Sequence, residues 1–329
     1  VARRLEPGSL ARFDTVARGR RPSLGPRVRR VLAGGAVALS LLAGACSRGA
    51  PARADAPAAQ SGDRLVFEKE AGGNRDLYVV PAAGGTPRRL TTHPATDGLP
   101  RWTGDGRRVV FTSNRLGNWQ LFAVPAEGGE ARRVRTNAHT EWQADESPDG
   151  RTLAFLSNRD GPESLWLLDR ASGATRLLVR HGPRSILGNP HWSRDGTRIV
   201  FSSNVREGHQ IWLVDAAGGE TRRLSTVGGC EPRFRPDGRA VVYVGRRPRR
   251  DRSLLLEHDL ATGTERVLVD WPGLNYDPVY SPDGSEIAFA STVAGGFEIY
   301  RFRLSDGRSW RVTFGGGDAR YPDYRPARR

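Results

Sequence analysis

The chain has 329 residues, with 51 basic against 36 acidic side chains and a formal charge of +15, so there is ample length for a large core. The basic surplus does not have the distribution of a nucleic-acid surface, which gathers on one face: residues 1–45 hold nine arginines against Glu6 and Asp14, and the rest is spread along the whole chain. Lys69 is the only lysine, methionine is absent, and two cysteines are too few for a disulfide framework.

The first elements form an export signal. Basic residues through Arg27, Arg29 and Arg30 precede an apolar run from Val31 to Leu42, which is too short for a membrane span. Leu41-Leu42-Ala43-Gly44-Ala45-Cys46 then resembles a bacterial lipobox, with Ala43 where leucine is usual. On this reading residues 1–45 are the signal, Cys46 is lipidated, and residues 46–61, small and proline-bearing, are a tether. With Cys46 lipidated, the mature chain has no second cysteine to form a disulfide with Cys230.

From residue 62 onward the chain is a repeat. Its clearest copy is Asp277-Pro278-Val279-Tyr280-Ser281-Pro282-Asp283-Gly284, followed by the apolar run Ile287 to Ala290. Proline presets φ, aspartate bonds its own backbone and glycine takes a positive φ, so Pro-Asp-Gly closes a hairpin. The turn glycines Gly106, Gly150, Gly196, Gly238 and Gly284 are 44, 46, 42 and 46 residues apart, the period of a four-stranded propeller blade. Aromatics in the strand after the turn keep step: Phe67, Phe111, Phe155, Phe201, Tyr243 and Phe289. A third strand and an Arg-Arg-Leu-Thr type fourth strand follow, separated by glycine turns such as Gly84-Gly85. The first unit lacks an inner strand, and Arg320-Tyr321-Pro322-Asp323-Tyr324 supplies one. The expectation is an all-β domain over residues 62–329: a six-bladed β-propeller closed by pairing of this C-terminal strand with Leu65 to Phe67. The third unit departs most, with Ala144 for the proline and Glu146 for the aromatic.

These elements, with Ser113-Asn114-Arg115, Ser157-Asn158-Arg159 and Arg88-Arg89-Leu90-Thr91, resemble the WD-type repeats of the TolB-like propeller family over residues 62–326. The resemblance implies a fold and, by analogy, an envelope protein or peptide as partner, such as a peptidoglycan-associated lipoprotein. It does not specify a function. The additional α/β domain of that family is not matched.

Loops of a propeller alternate between two faces. The Pro-Asp-Gly and Gly-Gly turns make a uniform face, and the turn aspartates Asp105, Asp149, Asp195, Asp237 and Asp283 are accounted for by the turn itself. The opposite face carries variable links, and candidate binding residues fall there or just after: His93, Asp97, His139, Glu141, Trp142, His181, Asn189, Glu231, Trp271, Tyr276, Asp277 and Tyr321. Aromatics beside hydrogen-bonding groups suit a peptide, loop or sugar. The arginines at 246, 247, 249, 250 and 252 suit a solvated loop, or an acidic partner.

No Gly-x-Ser-x-Gly elbow, His-Glu-x-x-His helix or Cys-x-x-Cys pair is present. The reading is therefore a non-enzymatic, monomeric envelope binding or scaffolding protein, anchored by Cys46 outside the cytoplasm, without nucleic acid, metal or cofactor. The alternative is a propeller-type polysaccharide lyase with His93, His139 or His181 as base or metal ligand.

Overall fold

The structure, a computed structural model, describes residues 63–206, 208–246 and 252–327. It contains six antiparallel sheets of four strands each, and no helix among the described residues. Numbering blades by their second strands, the inner strands are Ala319–Tyr324 (blade 1), Asp97–Trp102 (blade 2), Glu141–Glu146 (blade 3), Leu187–Trp192 (blade 4), Gly228–Phe234 (blade 5) and Asn275–Tyr280 (blade 6). Each inner strand packs against the next, and Asn275–Tyr280 returns to Ala319–Tyr324, so the ring is complete. Every blade runs outward strand by strand; in blade 1 the order is Ala319–Tyr324, Arg64–Ala71, Asn74–Pro81, Arg88–Arg89.

Closure is as the repeat predicts. Leu65 pairs with Tyr324 and Val66 with Asp323, then Glu68 with Arg320 and Lys69 with Ala319. The aromatics that keep the period are all essentially inaccessible, and they fill the cores between successive sheets. Burial of each such ring removes roughly 150–250 Å² from water, a large single contribution to the core of each blade.

The turn aspartates behave as turn residues. Asp195 Oδ1 accepts from the Ser193 hydroxyl at 2.6 Å and from the Thr197 amide at 2.9 Å. Led by the Ser193 bond, these partners hold its carboxyl down at about 2. The same hydroxyl-to-aspartate bond recurs at Thr103–Asp105, Ser147–Asp149 and Ser281–Asp283.

A feature absent from the sequence reading decides how the ring is joined. In every inner strand one non-glycine residue has φ between 51° and 57°: Leu99, Gln143, Asn189, Glu231, Asp277 and Tyr321. Each sits in a β-bulge. Pairing jumps from Gly98↔Thr112 to Arg101↔Val110, so Leu99 and Pro100 together oppose Phe111. In the other five blades the bulge likewise faces the periodic aromatic. A side chain at positive φ costs on the order of 1–3 kcal/mol, and six of them in register mean that the surrounding ring enforces the conformation.

Candidate functional site

At five of the six bulges the strained residue's amide is turned toward the preceding blade, where a side chain accepts it. Leu99 N–H donates to Glu68 Oε2 at 2.7 Å, Gln143 N–H to Thr112 Oγ1 at 3.1 Å, and Asn189 N–H to Gln143 Oε1 at 2.7 Å. Asp277 N–H donates to Glu231 Oε2 at 2.6 Å and Tyr321 N–H to Asp277 Oδ2 at 3.1 Å. In three of these links the acceptor is itself a bulge residue, Gln143, Glu231 or Asp277, and in two it is a second-strand residue, Glu68 or Thr112. Between blades 4 and 5 this link is missing, and Asn189 Oδ1 is buried with no partner.

Four of the predicted residues converge here on one that was not predicted. Arg320 lies 2.7 Å from Asp277 Oδ2 and 3.9 Å from Glu231 Oε1. Its guanidinium also sits 4.5–5.2 Å from the ring centroids of Phe297, Tyr321 and Tyr276. Glu231, Asp277, Tyr276 and Tyr321 therefore form one cluster with Arg320 as its centre. Glu68, also unforeseen, is buried beside it and pairs with Arg75 at 2.9 Å. Burial, and then the charge of Asp277, push the Glu231 carboxyl up to about 8, so it holds its proton at neutral pH. Burial raises Glu68 as well.

The remaining predicted residues are placed individually. Asp97 is held by both Arg115 bonds at 2.8 Å, and Glu141 by Arg135 at 2.6 Å and by Arg159. The Ser-Asn-Arg motif is thus a clamp: its arginine holds the first residue of the inner strand, and Asn114 Oδ1 accepts the Thr96 amide. Trp142 is buried in the core shared with blade 4. Trp271 is half-buried, edge-on to Phe289 and Tyr300. His181 bonds the Ser203 hydroxyl at 2.8 Å, and burial lowers its pKa. His93 Nδ1 accepts from the Ala95 amide, and His139 is exposed. Among the described residues no three His, Cys, Asp or Glu side chains are grouped as metal ligands. Cys46 and Arg247 to Asp251 lie outside the described residues.

A second ring lies two residues further along the inner strands, toward the Pro-Asp-Gly face. Trp102 N–H donates to Asp323 Oδ2 and Trp192 N–H to Asp145 Oδ2, both at 2.8 Å, and Phe234 N–H to His191 Nδ1 at 3.2 Å. Burial brings Asp145 and Asp323 up to about 6 and His191 down to about 4. Above this ring a cavity of about 210 Å³ opens on the face that the sequence reading set aside as uniform, lined by Trp102, Trp192, Phe234 and Tyr280.

Comparison with known proteins agrees with this architecture. The family model described as the TolB beta propeller domain matches residues 46–147 and 143–270, more than half of the chain. The chain belongs to the TolB β-propeller family. An uncharacterized protein of Agrobacterium fabrum, Atu1656, is 35% identical over 92 residues, which are 28% of this chain and 29% of that one. The Tol-Pal system protein TolB of Rickettsia massiliae is 43% identical over 53 residues, 16% of this chain and 12% of its own. The matched stretches therefore span under a third of these two relatives. The crystal structure of TolB from Acinetobacter baumannii superposes with a TM-score of 0.71 at 17% identity, covering 80% of this chain and 67% of that one. At that identity the likeness is one of fold.

Proposed function

We propose that this TolB-family propeller is a non-enzymatic binding or scaffolding protein of the bacterial envelope, and that its variable loop face receives a protein or peptide partner. The observation that carries the reading is the placement of exposed apolar side chains. Of the five large exposed hydrophobics among the described residues, Leu116, Val205 and Phe314 stand on loops of that face, and none stands on the Pro-Asp-Gly face. The core of a protein interface is apolar with a polar rim, and exposed apolar side chains mark the face that can supply one.

The name of the Rickettsia relative places that protein in the Tol-Pal system, and carried to this chain the partner is an envelope protein of the peptidoglycan-associated lipoprotein kind. Lipidation at Cys46 would hold the propeller at the membrane, outside the cytoplasm. The test is crosslinking of the full chain in envelope extracts, beside a Leu116→Ser/Phe314→Ser variant. The double variant is expected to lose a specific crosslinked partner while keeping its melting temperature; an unchanged partner profile removes the variable face from the reading. Labelling with a radioactive fatty acid, lost in Cys46→Ser, tests the anchor.

A further inference from the structure

A cavity of about 860 Å³ lies on the face opposite the proposed partner surface, at the junction of blades 2 and 3 with the end of the closing strand. Its origin is legible in one substitution. At the last position of the other inner strands stand Trp102, Trp192, Phe234, Tyr280 and Tyr324, whereas blade 3 has Glu146. The space an indole or phenol would occupy is left open and lined with charge. Arg107, Arg108, Arg170 and Arg325 line it, against Asp105, Glu146 and Asp149.

The acidic groups are already engaged. Asp105 Oδ1 accepts from the Thr103 hydroxyl at 2.6 Å and the Arg107 amide at 2.9 Å. Asp149 Oδ1 accepts likewise from Ser147 and the Arg151 amide. Glu146 takes the Gly104 amide at 2.7 Å and pairs with Arg170. Arg325 donates to the Gly106 carbonyl at 2.8 Å. Arg107 and Arg108 differ: both are exposed, and neither guanidinium makes a hydrogen bond or ion pair among the described residues. Burial and the proximity of Arg108 both lower the pKa of Arg170, which is the mark of cations crowded without enough countercharge.

We infer that this cleft is a binding site for a small, multiply charged oxyanion, held by the Arg107 and Arg108 guanidinium groups with Arg170 behind them. Arginine forks match phosphoryl and carboxylate oxygens in pairs, and a concave site of this volume accepts a small ligand rather than a flat surface. Two neighbouring cations whose charges both act on the single carboxylate of Asp105 favour a multiply charged ligand over a singly charged one. Glu146 sets the limit on affinity because it competes for Arg170.

The test is calorimetric titration of the full chain with inorganic pyrophosphate and, separately, with citrate, at low salt. Binding is expected for at least one of the two, and the tighter one assigns phosphoryl or carboxylate chemistry. Arg107→Ser/Arg108→Ser should weaken it roughly tenfold or more. Arg222→Ser/Arg223→Ser, which removes the same charge from the exposed outer strand of blade 4, should leave it unchanged. Glu146→Gln keeps an acceptor for Gly104, releases Arg170 and should tighten binding, a gain that a misfolded protein does not produce. Absence of binding by both probes, equal losses in the two double variants, or weaker binding in Glu146→Gln each overturns the site.

Discussion

The seams flanking blade 1 and those flanking blade 3 meet the same geometric demand with different chemistry. All present a bulge amide at positive φ that needs an oxygen from the preceding blade. Entering and leaving blade 3, the acceptors are Thr112 and Gln143, both neutral. Entering and leaving blade 1, they are Asp277 and Glu68, and the seam before those uses Glu231. Neutral oxygens are evidently sufficient to hold two blades together. Buried carboxyls are therefore more than assembly requires, and their desolvation is offset only where Arg320 and Arg75 stand beside them. The acidic arc is the part of the ring whose chemistry is in excess of its structural task, and it contains the residues that the variable-face reading singled out.

The comparison can be broken most severely at its closure. Deleting residues 318–329 removes the inner strand of blade 1 and with it Arg320 and the Asp323 acceptor for Trp102. We expect cooperative urea unfolding to be lost, followed by circular dichroism and tryptophan fluorescence together. A single sharp transition near the original midpoint would refute the closure argument. Next in size, Asp277→Ala leaves Arg320 buried without its carboxylate and should cost about 3–5 kcal/mol. Gln143→Ala removes a neutral acceptor at the equivalent seam and should cost about 1–3 kcal/mol. Both alanines incur the same positive-φ strain, so equal losses would mean that the charge in the acidic arc is incidental.

Titration sharpens the contrast further. The native-state pKa of Glu231 lies above its unfolded value of 4.5, so folding takes up a proton there. Its contribution is present below pH 4.5 and is lost as pH rises toward 8. Glu231→Gln should therefore gain about 2 kcal/mol on the native sequence between pH 5 and pH 8, read from melting temperatures across that range. Asp145→Asn, in the second ring, should show the same sign between pH 3.8 and about 6, with no further change above. A flat difference for either variant would mean that the carboxyl is ionised in the native state. The smallest effect belongs to Asn189→Gly. It removes an oxygen that bonds to nothing at a φ of 52° that glycine accepts freely, and should change stability by less than about 1 kcal/mol.

The fold was legible because its determinants repeat. Turn chemistry, the buried aromatic and the 42-to-46-residue spacing recur in nearly every unit, and the half-unit at each end of the repeat could only complete the other. The bulge ring was not legible as a repeat, since its six residues are Leu99, Gln143, Asn189, Glu231, Asp277 and Tyr321, with no side-chain chemistry in common. The shared signal was positional: five of the six immediately precede a proline opposite the periodic aromatic, and although Asn189, Glu231, Asp277 and Tyr321 were singled out individually, that common position was not read as a bulge. Arg320 and Glu68 were missed for a different reason. Arg320 meets Asp277 across adjacent inner strands 43 residues apart, and Glu68 meets Arg75 and the Leu99 amide, so the contact is not reported by the repeat motif in which either residue sits. Asp97 and Glu141 were singled out as candidate binding residues, but the arginine that holds each lies 18 residues later in the Ser-Asn-Arg motif, which was read only as part of the family resemblance.

The closing strand also sets an order of events during synthesis. Residues Arg64–Ala71 are the first strand of the propeller to be made, and their neighbour Ala319–Tyr324 is the last. Until Ala319–Tyr324 has been made, Leu65, Val66 and Phe67 lie on an open edge that any other extended chain can join. A product terminated before that strand carries the edge permanently. Only a chain that includes it conceals the edge, so completion of the propeller and protection from self-association are the same event.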